Sequence, residues 1–128
     1  MIIDTSILVE IDRGVTEEKI KKIKHNINPK ISAITVSELY TGAYKRKKTD
    51  ESSLENLISS FKRLTLDQDI AKKAGELIAR KQEKYLGIGI NDIYIAATAI
   101  QKNEKLLTKD VKDFNEINEL EVLDWNNF

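Results

Sequence analysis

Cysteine is absent from the 128 residues, which excludes disulfides, thiolate catalysis and cysteine-ligated zinc. Histidine occurs once, as His25 in a lysine-rich stretch, which argues against a Ser-His-Asp triad and a His-based metal site. Aromatic residues make up only 6% of the chain, few for the stacking platforms that hold single-stranded nucleic acid. Net charge is lacking too: 21 Lys and Arg balance 21 Asp and Glu, whereas a basic nucleic-acid binder shows itself in the total. Attraction for phosphate must then come from local patches or bound cations. No apolar run approaches the roughly 20 residues that span a bilayer. Met1-Ile2-Ile3-Asp4 leaves no room for a basic region followed by a cleavable apolar segment. The expectation is a soluble, cytoplasmic protein whose acid–base and metal chemistry falls to Asp and Glu.

The length suits one domain, residues 1–128, able to bury a core without disulfides or a structural metal. Ile2-Ile3 reads as a short buried strand, followed after Asp4 by a helix through Ile7 to Ile11 that Gly14 stops. Thr16 opens an amphipathic helix with Ile20, Ile23 and Ile27 on one face, ended by Asn28-Pro29. Ile31 to Ile34 predicts a second strand, and Thr35 the cap of a helix carrying Val36, Leu39, Tyr40 and Ala43. A polar turn from Lys45 to Ser53 leads to a returning helix through Leu54, Leu57, Ile58 and Phe61. Leu64-Thr65-Leu66 predicts a third strand. Asp67 or Asp69 then begins a long helix with Ile70, Ala74, Leu77, Ile78 and Tyr85 on one face, broken by Gly87 and Gly89. Ile93 to Ile100 is apolar nearly all round, as in a buried helix. Leu106-Leu107-Thr108 and Val122-Leu123 supply the last strands. Strands alternating with helices imply an α/β fold, three layers (α/β/α) around a central parallel sheet of four to five strands.

In such sheets ligands bind at the carboxyl ends of the strands, and that edge turns separate acids into a candidate site. Asp4 directly follows the first strand, although Asp is also a good N-cap for a helix starting at Thr5 or Ser6. Glu38 stands three residues after Thr35, the spacing of a capping box, or else faces the same edge as Asp4. Asp92 opens a helix reached from another helix, so capping gives it no reason to join the other acids. Asp110 bears the same relation to its strand as Asp4; Asp113, one turn on, is a weaker candidate. Three or four carboxylates within about 4–6 Å repel one another unless a cation offsets the charge. Oxygen donors suit a hard cation such as magnesium, and the chemistry that follows is metal-assisted phosphodiester hydrolysis.

The segments Ile2-Ile3-Asp4-Thr5-Ser6, Ser37-Glu38-Leu39-Tyr40-Thr41-Gly42, Asn91-Asp92 leading into Ile95-Ala96-Ala97-Thr98-Ala99, and Leu107-Thr108-Lys109-Asp110 with Asp113-Phe114 resemble those of PIN-domain ribonucleases. The likeness is to the VapC-type toxins of toxin–antitoxin pairs, and it runs from Met1 to about Trp125. It implies a PIN-like nuclease domain, Mg2+ or Mn2+, and endonucleolytic cleavage of RNA, often tRNA or rRNA. It places the acidic, metal-holding quartet on Asp4, Glu38, Asp92 and Asp110. Thr5 or Ser6, and Thr108, fall on polar positions that orient the carboxylates or their waters. A small cognate antitoxin and a homodimer are implied as partners.

Lys19 to Lys24 and Lys45 to Lys48 are the densest basic stretches and read first as solvated surface. Arg13, Lys109 and Lys112 flank the acids in sequence and are the better candidates for RNA phosphates. Tyr40, Tyr44, Leu54 and Phe61 are candidates for a dimer face or for ordinary core. Two rival functions remain in view. One is a receiver-like, Mg2+-binding phosphoacceptor domain, which wants an acidic neighbour that Asp4 lacks. The other is a PIN fold used only for binding.

Overall fold

The computed structural model describes residues 1–14, 17–26, 28–47, 51–84 and 87–128, without the side chains of 82–84. Five short strands, β1 (Ile2–Ile3), β2 (Lys30–Ser32), β3 (Lys62–Leu64), β4 (Leu106–Thr108) and β5 (Val122–Asp124), form one sheet in the order β3-β2-β1-β4-β5. Every pairing is parallel. Ile2 stands opposite Leu106 and Ile3 opposite Leu107. β1 is thus the central strand, and the chain turns from building one half of the sheet to building the other between β1 and β4.

Side chains alternate across a strand, and the two residues of β1 accordingly enter two different cores. Ile2 and Leu106 join Ile70, Ala74 and Leu77 of α5 (Gln68–Lys84), the apolar face of α6 (Ile90–Gln101), and Phe114 of α7 (Val111–Phe114). Ile3, Ile31 and Leu107 pack on the opposite face. There they meet α1 (Thr5–Asp12), α2 (Glu17–His25), α3 (Ala33–Lys45) and α4 (Ser52–Ser59) through Ile7, Leu8, Ile23, Leu39 and Ile58. Both faces of the central strands are covered, which is why β1 and β4 read as apolar runs. α6 carries fully buried residues almost all round, Ile93 and Ile95 to Ala97 among them. Each buried Ile or Leu contributes roughly 1.5–3 kcal/mol relative to exposure, so this helix is firmly seated.

Several boundaries differ from the expectations. α3 starts at Ala33 and is capped by Ser32, whose side chain accepts from the Ile34 N–H at 3.0 Å. Thr35 therefore lies in the first turn and does not cap the helix. β3 runs earlier than Leu64 to Leu66, because Lys62 to Leu64 pair with β2. Asp67 Oδ1 accepts from the Ile70 N–H at 2.8 Å, making Asp67 the start signal of α5. α6 begins at Ile90, three residues before its apolar run, and α7 was not anticipated. Gly14 ends α1 with φ +91°, a conformation that favours glycine. Of the four residues considered for a dimer face, Leu54 and Phe61 are core. Tyr44 is 60% exposed and stacks on Tyr40 at 5.9 Å. Thr16, Ile27, Lys48 and Tyr85 lie outside the described residues.

Candidate active site

Asp4 and Asp110 leave the sheet beside each other, at the carboxyl ends of β1 and β4. That is the point where the chain's progress along the sheet reverses, the position at which open parallel sheets form their binding crevice. Asp4 stands at the N-cap position of α1 and Asp110 at that of α7, yet neither side chain caps its helix. Asp4, only 2% exposed, instead accepts on Oδ2 from the Ser6 and Thr108 hydroxyls, each at 2.7 Å. Thr108 Oγ1 in turn accepts from the Asp110 N–H at 2.9 Å, and Ser6 Oγ from the Lys109 N–H at 3.3 Å. Ser6 and Thr108 thus hold one carboxylate and tie the ends of β1 and β4 together.

Glu38 lies in the second turn of α3, too far from Ser32 to complete a capping box. Its Oε1 accepts from Thr5 Oγ1 at 2.8 Å. Asp92 sits in the first turn of α6 behind Gly89, which caps without a side chain. The capping alternatives for Asp4, Glu38 and Asp110 are therefore not the bonds these side chains make.

The acids act on one another through their charges, although among the described residues no three of them stand where they could hold an ion. Burial pushes the Asp92 carboxyl up to about 7, and the charges of Asp4, Glu38, Asp110 and Asp113 push it the same way. A helix N-terminus favours an anion by only about 0.3–1 kcal/mol. The carboxyl is raised, not lowered, so burial and like charge outweigh the dipole. Asp4 is also raised, chiefly by burial and further by Asp110, against the lowering effect of the Ser6 and Thr108 hydroxyls. Glu38 is raised by burial and by Asp4, while the Thr5 hydroxyl and the Asn91 side chain pull it down. Asp113 therefore acts on the cluster from α7, although sequence spacing ranked it below the others.

The basic candidates divide. Lys109 Nζ is held by Glu10 Oε1 at 2.6 Å. Lys112 is exposed on α7, and exposed Arg13 lines a cleft that also reaches Glu38, Gly42 and Arg46. Sequence reasoning missed Asn91 as a partner of Glu38 and Glu10 as the partner of Lys109. Asn91 adjoins Asp92, which was the available signal; nothing in the spacing links residues 10 and 109.

A family model described as the PIN domain matches residues 1–120. Ribonuclease VapC of Rickettsia bellii (strain RML369-C) is 33% identical over 130 residues, covering 96% of this chain and 94% of that protein. Among solved structures, VapBC2 from Rickettsia felis bound to a promoter DNA fragment superposes with a TM-score of 0.87 at 29% identity, over 97% of each chain. DNA-bound VapBC from Salmonella typhimurium superposes with a TM-score of 0.88 at 25% identity, over 97% of this chain and 96% of that one. The family match over residues 1–120 and the VapC relative agree, and the chain belongs to the PIN-domain family, with the ribonucleases VapC.

Proposed function

We propose that the protein is an endoribonuclease that hydrolyses RNA phosphodiester bonds with Mg2+ or Mn2+ held by Asp4, Glu38, Asp92 and Asp110. What supports this reading is the placement of four acids: Asp4 and Asp110 follow β1 and β4, Glu38 is bonded to Thr5 next to Asp4, and the charges of all three act on Asp92, which is pushed up to about 7. Among the described residues, no three acids stand where they could hold an ion as their side chains now lie. The donor chemistry nevertheless fits: the set is all carboxylate oxygen, the kind hard divalent cations take, and its mutual repulsion is what a cation offsets. When bound, such an ion lowers the pKa of a coordinated water and stabilises charge on a phosphate.

The chain's own residues have separable tasks. Ser6 and Thr108 hold Asp4 in one orientation, and Thr5 and Asn91 do the same for Glu38. Asp92 is carried on a helix that buries Ile93 and Ile95 to Ala99, so its position is set by the core. Asp110 is exposed and so is reachable by a large polyanion. Asp113 contributes negative charge behind Asp92. Arg13 and Lys112, exposed near the edge, are suited to RNA phosphates. Lys109 is less so, because Glu10 already neutralises it.

The R. felis and S. typhimurium relatives are VapBC assemblies, which supports a small antitoxin as partner and a toxin's role for this chain. The exposed Tyr44 with its stacked Tyr40 is the surface we assign to a homodimer. No described helix is long and apolar enough to cross a membrane, and a tRNA or rRNA substrate fits a cytoplasmic role. The test is cleavage of purified tRNA and rRNA with millimolar Mg2+, with chelator, and by Asp92→Asn. Cleavage in the first condition alone is expected. Full activity of Asp92→Asn, or activity that survives the chelator, contradicts the proposal.

A further inference from the structure

The first turn of α3 buries a hydroxyl that serves no cap. Thr35 is 0% exposed, and the cap belongs to Ser32. Thr35 Oγ1 lies 3.0 Å from Thr5 Oγ1, which lies 2.8 Å from Glu38 Oε1. Thr5 has one hydroxyl proton, and an ionised carboxylate can only accept. The Thr5 proton therefore goes to Glu38, and the Thr5 oxygen accepts from Thr35. The chain of donors begins in the core, crosses from α3 to α1, and ends on a carboxylate.

Shape alone does not require threonine here. Valine matches it closely, and a buried hydroxyl is costly unless it finds a partner. The partner it has found is the residue that orients Glu38. Bonds to a charged acceptor are the stronger ones, and a donor behind the donor polarises it further.

We propose that Thr35 is a positioning residue of the carboxylate site: its buried hydroxyl fixes the Thr5 rotamer and through it the aim of Glu38. This rests on the metal-nuclease reading above. Groups that orient metal ligands typically change affinity or activity by about 10–100-fold when removed. Thr35 is one bond further out, so the low end, roughly tenfold, is expected.

The test uses the full chain and its Thr35→Val, Thr35→Ser and Thr35→Ala variants. Three quantities are measured: Mn2+ affinity from the EPR signal of the free ion, the rate of RNA cleavage, and the melting temperature in chelator. Thr35→Val is expected to melt close to the parent yet to bind Mn2+ and cleave RNA about tenfold less well. Thr35→Ser, which loses a methyl but keeps the hydroxyl, recovers most of both. Should valine disturb folding, serine and alanine still differ only in the hydroxyl, and alanine is expected about tenfold below serine. Parental affinity and cleavage in a folded Thr35→Val overturns the inference. So does a Thr35→Ser that falls as far as Thr35→Val or Thr35→Ala, because packing would then be the cause. A parent protein that neither binds Mn2+ nor cleaves RNA brings down the metal-nuclease reading instead, a failure visible before any substitution is compared.

Discussion

Replacing Asp92 with asparagine tests the electrostatics of the site without any substrate. The folded protein holds this carboxyl at about 7, whereas in the unfolded chain it returns to its ordinary value of 3.8. Below 3.8 both states carry the proton, and the group makes no difference to folding. As pH rises from there to about 7, the unfolded chain releases the proton while the folded one retains it. The folded state binds more protons across that window, so stability falls with rising pH. Above it the penalty is complete. Moving the carboxyl from 3.8 to about 7 corresponds to roughly 4 kcal/mol before screening. Asp92 is only partly buried, and solvent screening reduces that to about 2 kcal/mol, or roughly 6–8 °C in Tm for a chain of this size. Metal-free Asp92→Asn should melt that much higher than the parent at pH 8 and near the parent at pH 4. The assay is a set of thermal melts in chelator across this range, read as the difference between the two proteins. Millimolar Mg2+ at pH 8 should then raise the parent's Tm and leave Asp92→Asn nearly unchanged. A parent-to-variant difference that stays the same from pH 4 to pH 8 refutes the reasoning.

Other substitutions test other links of the account. Thr108→Val removes a buried donor to Asp4 and should cost about 1–3 kcal/mol in urea unfolding, with a fall in cleavage larger than that of Ser32→Ala. Ser32→Ala removes the α3 cap and should lower stability by about 0.5–2 kcal/mol while leaving the pH dependence of melting intact. Phe114→Ala empties a fully buried position and should cost about 3–5 kcal/mol, measured by the same unfolding. Arg13→Gln and Lys112→Gln together should weaken RNA binding and flatten its dependence on salt by about 1–2 in the log–log slope, measured in an Asp4→Asn background that does not cleave.

Most of the architecture was legible because parallel strands covered on both faces leave a strong apolar signature. Ile2-Ile3 and Leu106-Leu107-Thr108 are strands as read, and the buried helix after Asp92 follows from its alanines and isoleucines. Strand order was not legible. Nothing local says that β4 lies beside β1, since the pairing joins segments a hundred residues apart and depends on how the helices pack. Glu38 shows a second limit: Thr35 and Glu38 have capping-box spacing, but the paired strand ends at Ser32, whose hydroxyl caps first. Asp92 feels the charges of Asp4, Glu38, Asp110 and Asp113, a relation between distant segments that spacing alone does not give. Their orienting partners were only partly named, because hydroxyls such as Thr35 and amides such as Asn91 act through geometry that sequence spacing does not reveal.

The central claim, that these acids hold a divalent ion, is tested most directly by anomalous X-ray scattering from a crystal of the protein grown with Mn2+. The account predicts a Mn2+ peak at the carboxyl edge between β1 and β4, coordinated by oxygens of Asp4 and Asp92 with Glu38 or Asp110 completing the shell directly or through water. A metal-loaded crystal with no peak there, or with Mn2+ only at unrelated acids such as Glu119 or Glu121, would contradict it.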